Sequence, residues 1–337
     1  MAGNAGIWGP ASPVNQNQIN GQGPLDALVQ EQFTGEVEHA YMSTTVFEPH
    51  FKRKMVVKGT NTLNKKAIGR TKLQKLGRGQ APDGTQVVFS KASVTVDTML
   101  LSRHTFDELE TIQTDIDARS EVATQAGRDI ADFYDQTIAI GAAHAAAMTS
   151  SPYARGSAGL PEGFSGATQI TIAAGDEVDP AKLYHAIGQL LCGMEEKNVD
   201  PRREKVLLVV RPKQFYALQD AEQISNGEYI TSNGNKLDNI PMFKAWGIPV
   251  ISTNNLPKGV ITGHLLSNED NGNFYDGDFS KLVCLAVSPK ALMIGESKAL
   301  QTKIWYSEES KEWVVDAWFA FGLAPDRVEH AGRIDIA

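Results

Sequence analysis

The sequence predicts an α+β fold in which a compact α/β domain is inserted into an extended region of strands and one long helix. The first indication is a strongly basic stretch that lacks the apolar residues for a core of its own. The second is a helical pattern of about 33 residues, or roughly 50 Å. The third is a switch to alternating helices and strands, followed by a return to strands. With 337 residues, one large irregular domain or two linked domains are expected.

Composition excludes several classes of protein. Hydrophobic residues at 42% and charged residues at 21% are ordinary for a folded soluble chain. No apolar run is long enough for a membrane span, and the N terminus has no secretory pattern. Cys192 and Cys284 are too few for a disulfide framework. Both lie in apolar contexts, so we expect two buried thiols in a reducing compartment such as a cytoplasm.

Residues 1–50 are predicted to form an N-terminal arm and a helix. Residues 1–24 are rich in Gly, Asn, Gln and Pro without periodicity, which indicates a disordered tail or an arm that orders on a neighbour. Pro24 is placed to begin a short helix that ends near Phe47. The apolar residues on one face of this helix are Leu25, Leu28, Val29 and Phe33.

Residues 52–91 differ in charge from the rest of the chain. They hold eleven of the 32 Lys and Arg residues and one acid, Asp83, so their net charge is about +10. Since the whole chain is formally −8, the remainder is close to −18. This stretch is therefore suited to an oppositely charged partner, which is either a polyanion or the acidic remainder of another copy.

The same stretch predicts an extended hairpin over residues 51–97. Alternation at 54–58 and 86–96 indicates two strands, with turn residues between them at Gly77, Gly79 and Pro82. A two-stranded ribbon is marginal alone in water. We therefore expect the hairpin to be held by another surface.

A peripheral region is predicted over 98–178 and 299–337. Residues 105–113 indicate a short helix that carries Phe106, Leu109 and Ile112 inward. A longer helix is predicted over about 115–148 from the inward residues Ile116, Val122, Ala123, Ala126, Ile130, Phe133, Thr137 and Ile140. Gly127 and Gly141 within it indicate either flexing points or close helix packing.

An α/β domain is predicted over 179–298, after a loop at 150–169. Asp179 is placed to cap a helix that Pro180 begins and that ends near Asn198. Further elements are strands at 205–210, 248–252 and 281–287 and a helix at 212–221. The chain then returns to a ribbon of strands at 300–306 and 313–321, turning at 308–311.

The sequence predicts no catalytic, cofactor or metal site. It has no phosphate-binding loop, and Ala167 stands where a nucleophile elbow needs Gly. No two of the seven histidines are spaced as metal ligands. Asp270, Asp276 and Asp278 lack the order of a calcium-binding loop. These absences favour a non-enzymatic protein.

In this order, the arm, hairpin, long helix, inserted α/β domain and returning ribbon resemble the major capsid proteins of tailed phages, especially short-tailed ones. The resemblance covers nearly the whole chain. The strings that carry it are IGRTKLQKLGRGQAPDG at 68–84, DARSEVATQAGRDIAD at 117–132, KNVDPRREKVLLVVRPKQFYAL at 197–218, MFKAWGIPVISTNNLP at 242–257 and FGLAPDRVEHAGRI at 321–334.

The resemblance implies a fold with an N-arm, an E-loop at 51–97, a spine helix, a peripheral domain and an axial domain at 179–298. It implies copies of the chain in pentamers and hexamers of an icosahedral virion shell that encloses double-stranded DNA without sequence-specific binding. A portal protein, a cement or decoration protein and assembly in the host cytoplasm are expected. The chain lacks the long, charged N-terminal extension of some relatives, which implies a separate scaffolding protein.

For contacts between copies, the basic loop is expected to meet acidic residues of a neighbour. The loop candidates are Arg70, Lys72, Lys75 and Arg78. The acidic candidates are Asp107, Glu108, Glu110, Asp115 and Glu121. Some relatives cross-link a loop Lys covalently, but no carboxylate is placed to catalyse this here, so cross-linking is not predicted. The residues alone leave two alternatives: a nucleic-acid-binding module using residues 52–91, and an enzyme that holds a small ligand in its α/β domain.

Overall fold

A computed structural model describes residues 36–42, 44–68, 73, 75, 76, 78, 79, 81, 89–107, 118–153, 164–220 and 243–337. The chain divides into two compact units. The first is drawn from Met1–Thr45, Met99–Phe133 and Lys298–Ala320, and the second from Val46–Thr98, Tyr134–Ser297 and Phe321–Ala337. One long helix and two long strands contribute residues to both units.

The first unit is built on antiparallel pairing between β4 (Leu100–Asp107) and β13 (Glu312–Pro325), which runs in register from Asp107 opposite Glu312 to Leu100 opposite Phe319. Residues 36–42 are helical. The core of this unit contains Val37, Ala123, Val315, Phe106, Leu300 and Ile304.

The prediction of a helix beginning at Thr105 is wrong. Thr105 and Phe106 are the end of strand β4 and lie opposite Val314 and Trp313. Cross-strand pairing with a distant segment overrides the local helical spacing. Residues 108–113 of that prediction lie outside the described residues.

The long helix α1 spans Ala118–Ala147, which confirms the predicted helix; residues 115–117 lie outside the described part of the chain. From Ile138 to Ala146 its residues are Ile, Ala and Gly except for His144, and all but His144 are buried. Asp135 is also buried, and its carboxylate accepts hydrogen bonds from the backbone N–H groups of Val46 (2.7 Å) and Phe47 (3.3 Å). This buried carboxylate therefore fixes the chain that enters the hairpin.

The second unit contains a six-stranded sheet with the order β5-β14-β11-β6-β8-β7. Its strands are β5 (Thr168–Ile172), β6 (Leu207–Val210), β7 (Phe243–Ala245), β8 (Ile248–Ser252), β11 (Leu282–Val287) and β14 (Ala331–Ile336). Helices α2 (Pro180–Glu196) and α3 (Pro212–Gln219) belong to the same core. As predicted, Asp179 caps α2 by accepting from the N–H groups of Ala181 and Lys182.

This sheet extends beyond the predicted 179–298 domain. Strands β5 and β14 fall within the ranges assigned to the peripheral region, 98–178 and 299–337. However, β14 pairs antiparallel with β11 and parallel with β5. The six-stranded sheet therefore takes two of its strands from the ranges predicted as peripheral, and the domain boundaries stay a prediction.

A second sheet has the order β1-β12-β13-β4, with β1 at Arg53–Met55 and β12 at Leu292–Ser307. Strands β12 and β13 are the predicted C-terminal ribbon, and they are longer than the sequence pattern indicated. Strand β1 pairs parallel with β12, with Arg53 opposite Ile294. A short two-stranded sheet joins β9 (Val260–Ile261) to β10 (Gly277–Asp278).

The hairpin is formed by β2 (Thr62–Ile68) and β3 (Phe89–Thr95), paired antiparallel. The predicted first strand at 54–58 is wrong as a hairpin strand, because residues 53–55 pair with β12 instead. The predicted second strand agrees with β3 over 89–95, and most of 69–88 lies outside the described residues.

The two cysteines differ in exposure. Cys284 is fully buried on β11, as predicted, and burial raises its pKa to about 12. Cys192 is exposed, which corrects the prediction, because α2 turns Leu190, Leu191 and Met194 towards the core. No helix in the described part of the chain is both long and apolar enough to cross a membrane.

Candidate assembly surface

The hairpin β2–β3 has two chemically different faces, because side chains alternate across each strand. One face is buried or half-buried and carries Leu63, Lys65, Ala67, Ser90, Ala92 and Val94. The other, here called the outward face, is exposed and carries Asn64, Lys66, Ile68, Phe89, Lys91 and Ser93. The buried face fixes the hairpin to the second unit, which leaves the outward face available to a partner.

A small apolar cluster anchors the buried face. Ala67 and Ala92 pack with Tyr153 and Phe164, whose ring centroids are 5.2 Å apart. The Ser90 hydroxyl donates a 2.7 Å hydrogen bond to the backbone oxygen of Tyr153. Both strands of the hairpin therefore contact the same support.

Asp326 adds a charged anchor beside this cluster. Its carboxylate, which is 1% exposed, forms an ion pair with the Lys65 ammonium and accepts a hydrogen bond from the Tyr153 hydroxyl. Burial raises the pKa of Tyr153, and the bond to Asp326 raises it further, so the hydroxyl remains a donor. A buried carboxylate paired in this way is strongly destabilised when one partner is removed. The hairpin base is therefore specifically positioned.

The outward face combines charge with apolar surface. Lys66 and Lys91 lie directly opposite each other, and the next pair, Ile68 and Phe89, is also exposed, at 56% and 69%. Like charges opposite one another destabilise a strand pair. Exposed aliphatic and aromatic side chains side by side are typical of a binding surface. A partner with acidic and apolar groups would relieve both unfavourable features.

Two of the four predicted loop cations are described. Lys75 and Arg78 are exposed, whereas Arg70 and Lys72 lie outside the described residues. Leu73 and Leu76 are also highly exposed, at 102% and 66%. The basic loop therefore presents apolar as well as positive groups.

Of the predicted acidic candidates, Glu121 is exposed in the first turn of α1, and Asp107 ends strand β4. Glu108, Glu110 and Asp115 lie outside the described part of the chain. The acidic candidates Asp107 and Glu121 belong to the first unit, and Lys75 and Arg78 belong to the second. Their pairing between copies stays a prediction.

Sequence reasoning missed the cross-strand pairs of the outward face. Ile68, Phe89 and Lys91 were not singled out as contact residues. The alternation from Phe89 to Thr95 was a usable signal, because it separates buried Ala92 and Val94 from the exposed positions. The register that places Lys66 beside Lys91 could not be derived without the partner strand.

The carboxylates of Asp276 and Asp278 already accept hydrogen bonds from residues of their own loop. The Asp276 carboxylate accepts from the Ser267 hydroxyl at 2.6 Å and from the N–H groups of Gly263 and His264 at 2.9 and 3.0 Å. The hydrogen bond from Ser267 is the largest cause that lowers the pKa of Asp276, and the two backbone hydrogen bonds lower it further. Asp278 accepts from the N–H of Ser280. Within the described residues, no group of three His, Cys, Asp or Glu side chains could hold a metal ion.

Comparison with protein families gives a match over most of the chain. A family model described as phage capsid protein matches residues 103–334, which is more than half of the sequence. The match includes the long helix, the six-stranded sheet from β5 to β14 and the C-terminal ribbon. No significant match occurs among curated protein sequences.

Solved structures share the fold across nearly the whole chain. The capsid of the cyanophage P-SCSP1u is 19% identical with a TM-score of 0.73, covering 87% of this chain and 88% of that one. The mature capsid of bacteriophage PhiM1 is 19% identical with a TM-score of 0.70, covering 87% of both chains. A virus-like particle from Pyrococcus furiosus is 12% identical with a TM-score of 0.53, covering 92% and 99%. At these identities, the likeness establishes the fold.

Proposed function

Because this chain belongs to the phage capsid protein family, we propose a specific way in which its surfaces join copies into a shell. The chain is a major capsid protein of a phage virion, and copies of it assemble into the icosahedral shell around the genome. Its fold is that of tailed-phage capsid subunits, with β2–β3 in the E-loop and α1 as the spine helix. The role that follows is structural rather than catalytic.

The proposed contact is the outward face of the hairpin against a neighbouring copy. The observation that carries it is the exposed Lys66–Lys91 pair beside the exposed Ile68–Phe89 pair. Both pairs are held on a base fixed by Asp326. A contact surface that is pre-positioned in this way loses less conformational entropy on binding.

The proposed partner is the set of acidic residues from Asp107 to Glu121 in a neighbouring copy. Exposed ion pairs contribute only about 0–1 kcal/mol each. Burying a large apolar side chain contributes about 1.5–3 kcal/mol, so Ile68 and Phe89 would supply more binding free energy than the lysines. The charges would then set orientation and encounter rate.

The test is charge reversal on the hairpin. We expect Lys66→Glu/Lys91→Glu, and separately the combined reversal of Arg70, Lys72, Lys75 and Arg78, to leave a folded subunit that forms no closed shells. Lys66, Lys91, Lys75 and Arg78, the replaced residues that the structure describes, are all exposed. Folding should therefore not depend on the sign of their charge. Circular dichroism reports folding, and negative-stain microscopy and sedimentation report shells.

The matched control is Lys213→Glu/Lys258→Glu, which makes the same charge change at two exposed lysines outside the hairpin. This control should assemble like the wild type. Normal shells from the hairpin variants would exclude the proposed contact. The nucleic-acid alternative predicts something different, namely strong, salt-steep DNA binding by the soluble wild-type subunit that the same reversals abolish.

Additional partners are proposed on family membership alone. These are a separate scaffolding protein, a portal protein and a decoration protein. Co-expression with candidate genes from the same phage, followed by microscopy, tests whether the shells need a scaffolding protein.

A further inference from the structure

The second unit contains a basic groove of about 1680 Å³. Its Lys and Arg residues come from segments far apart in sequence, so the convergence is produced by the fold. They are Lys52, Lys54, Lys65, Arg202, Arg203, Lys205, Lys244 and Lys290. This set is here called the basic groove. It lies on a chain whose formal charge is −8, and no sequence run accounts for it.

The acids in the groove are already engaged by the protein. Glu204 forms an ion pair with Lys290 at 2.6 Å, and Asp326 forms one with Lys65. Asp200 accepts hydrogen bonds from the backbone N–H groups of its own loop at 3.0 and 3.3 Å. These acids therefore leave much of the positive charge in the groove uncompensated.

Several groove cations are exposed and make no ion pair with any described residue. They are Lys52, Lys54, Arg203, Lys205 and Lys244. The pKa of His50, which also lines the groove, is lowered by burial and then by the charge of Lys205. The groove is therefore suited to an anionic ligand.

The lining favours an acidic protein segment over nucleic acid. Among the described residues that line the groove there is no Phe, Tyr or Trp, whereas surfaces for single-stranded nucleic acid usually stack bases on aromatic rings. Apolar residues with accessible surface, among them Pro49, Pro249 and Pro289, contribute to its wall. Positive charge beside apolar wall suits a peptide that carries carboxylates and apolar groups together.

One acidic segment of this chain has those properties. The turn between β12 and β13 carries Glu308, Glu309 and one cation, Lys311, and Glu312 is the first residue of β13. The three glutamates make no ion pair with any described residue. The segment from Glu308 to Glu312 is here called the acidic turn. The rings of Tyr306 and Trp313, whose centroids are 5.2 Å apart, lie next to it in sequence. The strands on either side of the turn are 16 and 14 residues long, so the turn lies at the end of a long two-stranded ribbon.

Three other acids are engaged within the chain. Asp176 pairs with Lys182 at 2.7 Å, Asp179 caps α2, and Asp276 accepts three hydrogen bonds from its own loop. The acidic turn combines three glutamates with the two aromatic rings beside it, so charge complementarity and apolar contact favour it as the occupant of the groove.

We propose that the basic groove of one subunit receives the acidic turn of a second copy, Glu308 to Glu312. This contact is separate from the outward face of the hairpin, and it rests on the proposed function because it joins shell subunits. It would give each subunit a second basic surface for contact with a neighbour, and its acidic partner adjoins that of the first contact, because Glu312 lies opposite Asp107.

The test is a charge swap in the full-length chain. The groove variant is Lys54→Glu/Arg203→Glu/Lys244→Glu, and the turn variant is Glu308→Lys/Glu309→Lys/Glu312→Lys. Each variant alone should give folded subunits and a loss of closed shells. Combined in one chain, the two sets make an acidic groove and a basic turn, so closed shells should return. The matched control, Lys213→Glu/Lys258→Glu/Lys281→Glu, changes exposed lysines outside the groove and should assemble normally.

The outcomes separate this contact from the proposed function. A wild type that never forms shells, alone or with scaffold, overturns both. Wild-type shells together with normal shells from the groove variant overturn the groove contact alone. If the groove variant and the turn variant each lose shells and the combined variant does not restore them, the acidic turn is excluded as the occupant. If the soluble wild-type subunit binds DNA through the groove and the turn variant assembles normally, the ligand of the groove is nucleic acid and not the acidic turn.

Discussion

Glu329 is a buried acid in the short turn Val328–His330 that joins β13 to β14. Its side chain is 2% exposed and lies 3.8 Å from the Arg327 guanidinium, which is a long ion pair. Burial is the main cause that raises the pKa of Glu329 above its ordinary value. The folded state therefore binds a proton at this site more readily than the unfolded state does.

The sign of the pH effect follows from that difference. For an acid whose pKa is raised by folding, the stability contribution is greatest below the unfolded pKa of about 4.3 and falls as pH rises through the folded pKa. We expect Glu329→Gln to increase the free energy of unfolding at neutral pH and to flatten its decline as pH rises from the unfolded pKa towards neutrality. Denaturant unfolding of the subunit across that range measures both effects.

Glu121→Gln is the control for Glu329→Gln, because Glu121 is exposed on α1 and the same change should leave the pH dependence as in the wild type. A Glu329→Gln subunit that is less stable at neutral pH would show instead that the ion pair with Arg327 outweighs the cost of burying the carboxylate.

Helix α1 is held by close contacts at its two glycines. A Cβ on Gly127 would lie 2.7 Å from both the Ala40 side chain and the Val37 backbone oxygen. A Cβ on Gly141 would collide with the Leu323 side chain. Of the two interpretations from sequence, flexing points and close packing, the contacts favour close packing.

We expect Gly127→Ala to destabilise the subunit. Alanine in a helix interior is favoured over glycine by about 1 kcal/mol. Overpacking costs about 1–3 kcal/mol, and here one obstacle is a backbone oxygen that cannot rotate away. The packing cost should therefore exceed the helical gain and lower the thermal midpoint.

Arg128→Ala is the matched control for Gly127→Ala, since Arg128 is exposed in the same turn and its change should stay within about 0.5 kcal/mol. If Gly127→Ala were instead stabilising, the flexing interpretation would be favoured, because the gain in helix propensity would then face no steric opposition.

Elements with local signals were predictable from sequence. The start of α2 at Pro180, capped by Asp179, is encoded by adjacent residues and was predicted correctly. Strand β14 was not predicted, because its partners β11 and β5 are distant in sequence and only their pairing defines it. For the same reason, Thr105 and Phe106 were predicted as helical although they pair with β13.

The sequence shows the charge asymmetry of the molecule, but it does not show which surfaces the charged residues form after folding. The run of cations from Lys52 to Lys91 predicted a basic hairpin. The basic groove was not predicted, because Arg203 and Lys244 join Lys54 there only after the chain folds. The outward face likewise depends on the register between β2 and β3. Both surfaces combine local composition, which sequence gives, with long-range pairing, which it does not.

The same asymmetry predicts how ionic strength acts on the assembly of the whole shell. Residues 52–91 carry about +10 and the remainder about −18, so the basic stretch of one subunit is attracted to the acidic part of a neighbour when the two face each other, although each whole subunit carries −8. Screening shortens that attraction, since the Debye length falls from about 10 Å at about 0.1 M salt to about 3 Å at about 1 M. Apolar contacts such as those proposed for Ile68 and Phe89 are not weakened by screening.

We therefore expect sodium chloride to slow the formation of shells while leaving formed shells nearly as resistant to denaturant as before. Light scattering after dilution into about 0.05 M and about 0.5 M salt measures the assembly rate, with Lys213→Glu/Lys258→Glu as a control for net charge. Denaturant titration of shells assembled at low salt measures their resistance. An assembly rate that does not change with salt would show that apolar contacts alone bring subunits together. Shells that fall apart at high salt would show that ion pairs, rather than apolar burial, supply most of the binding free energy.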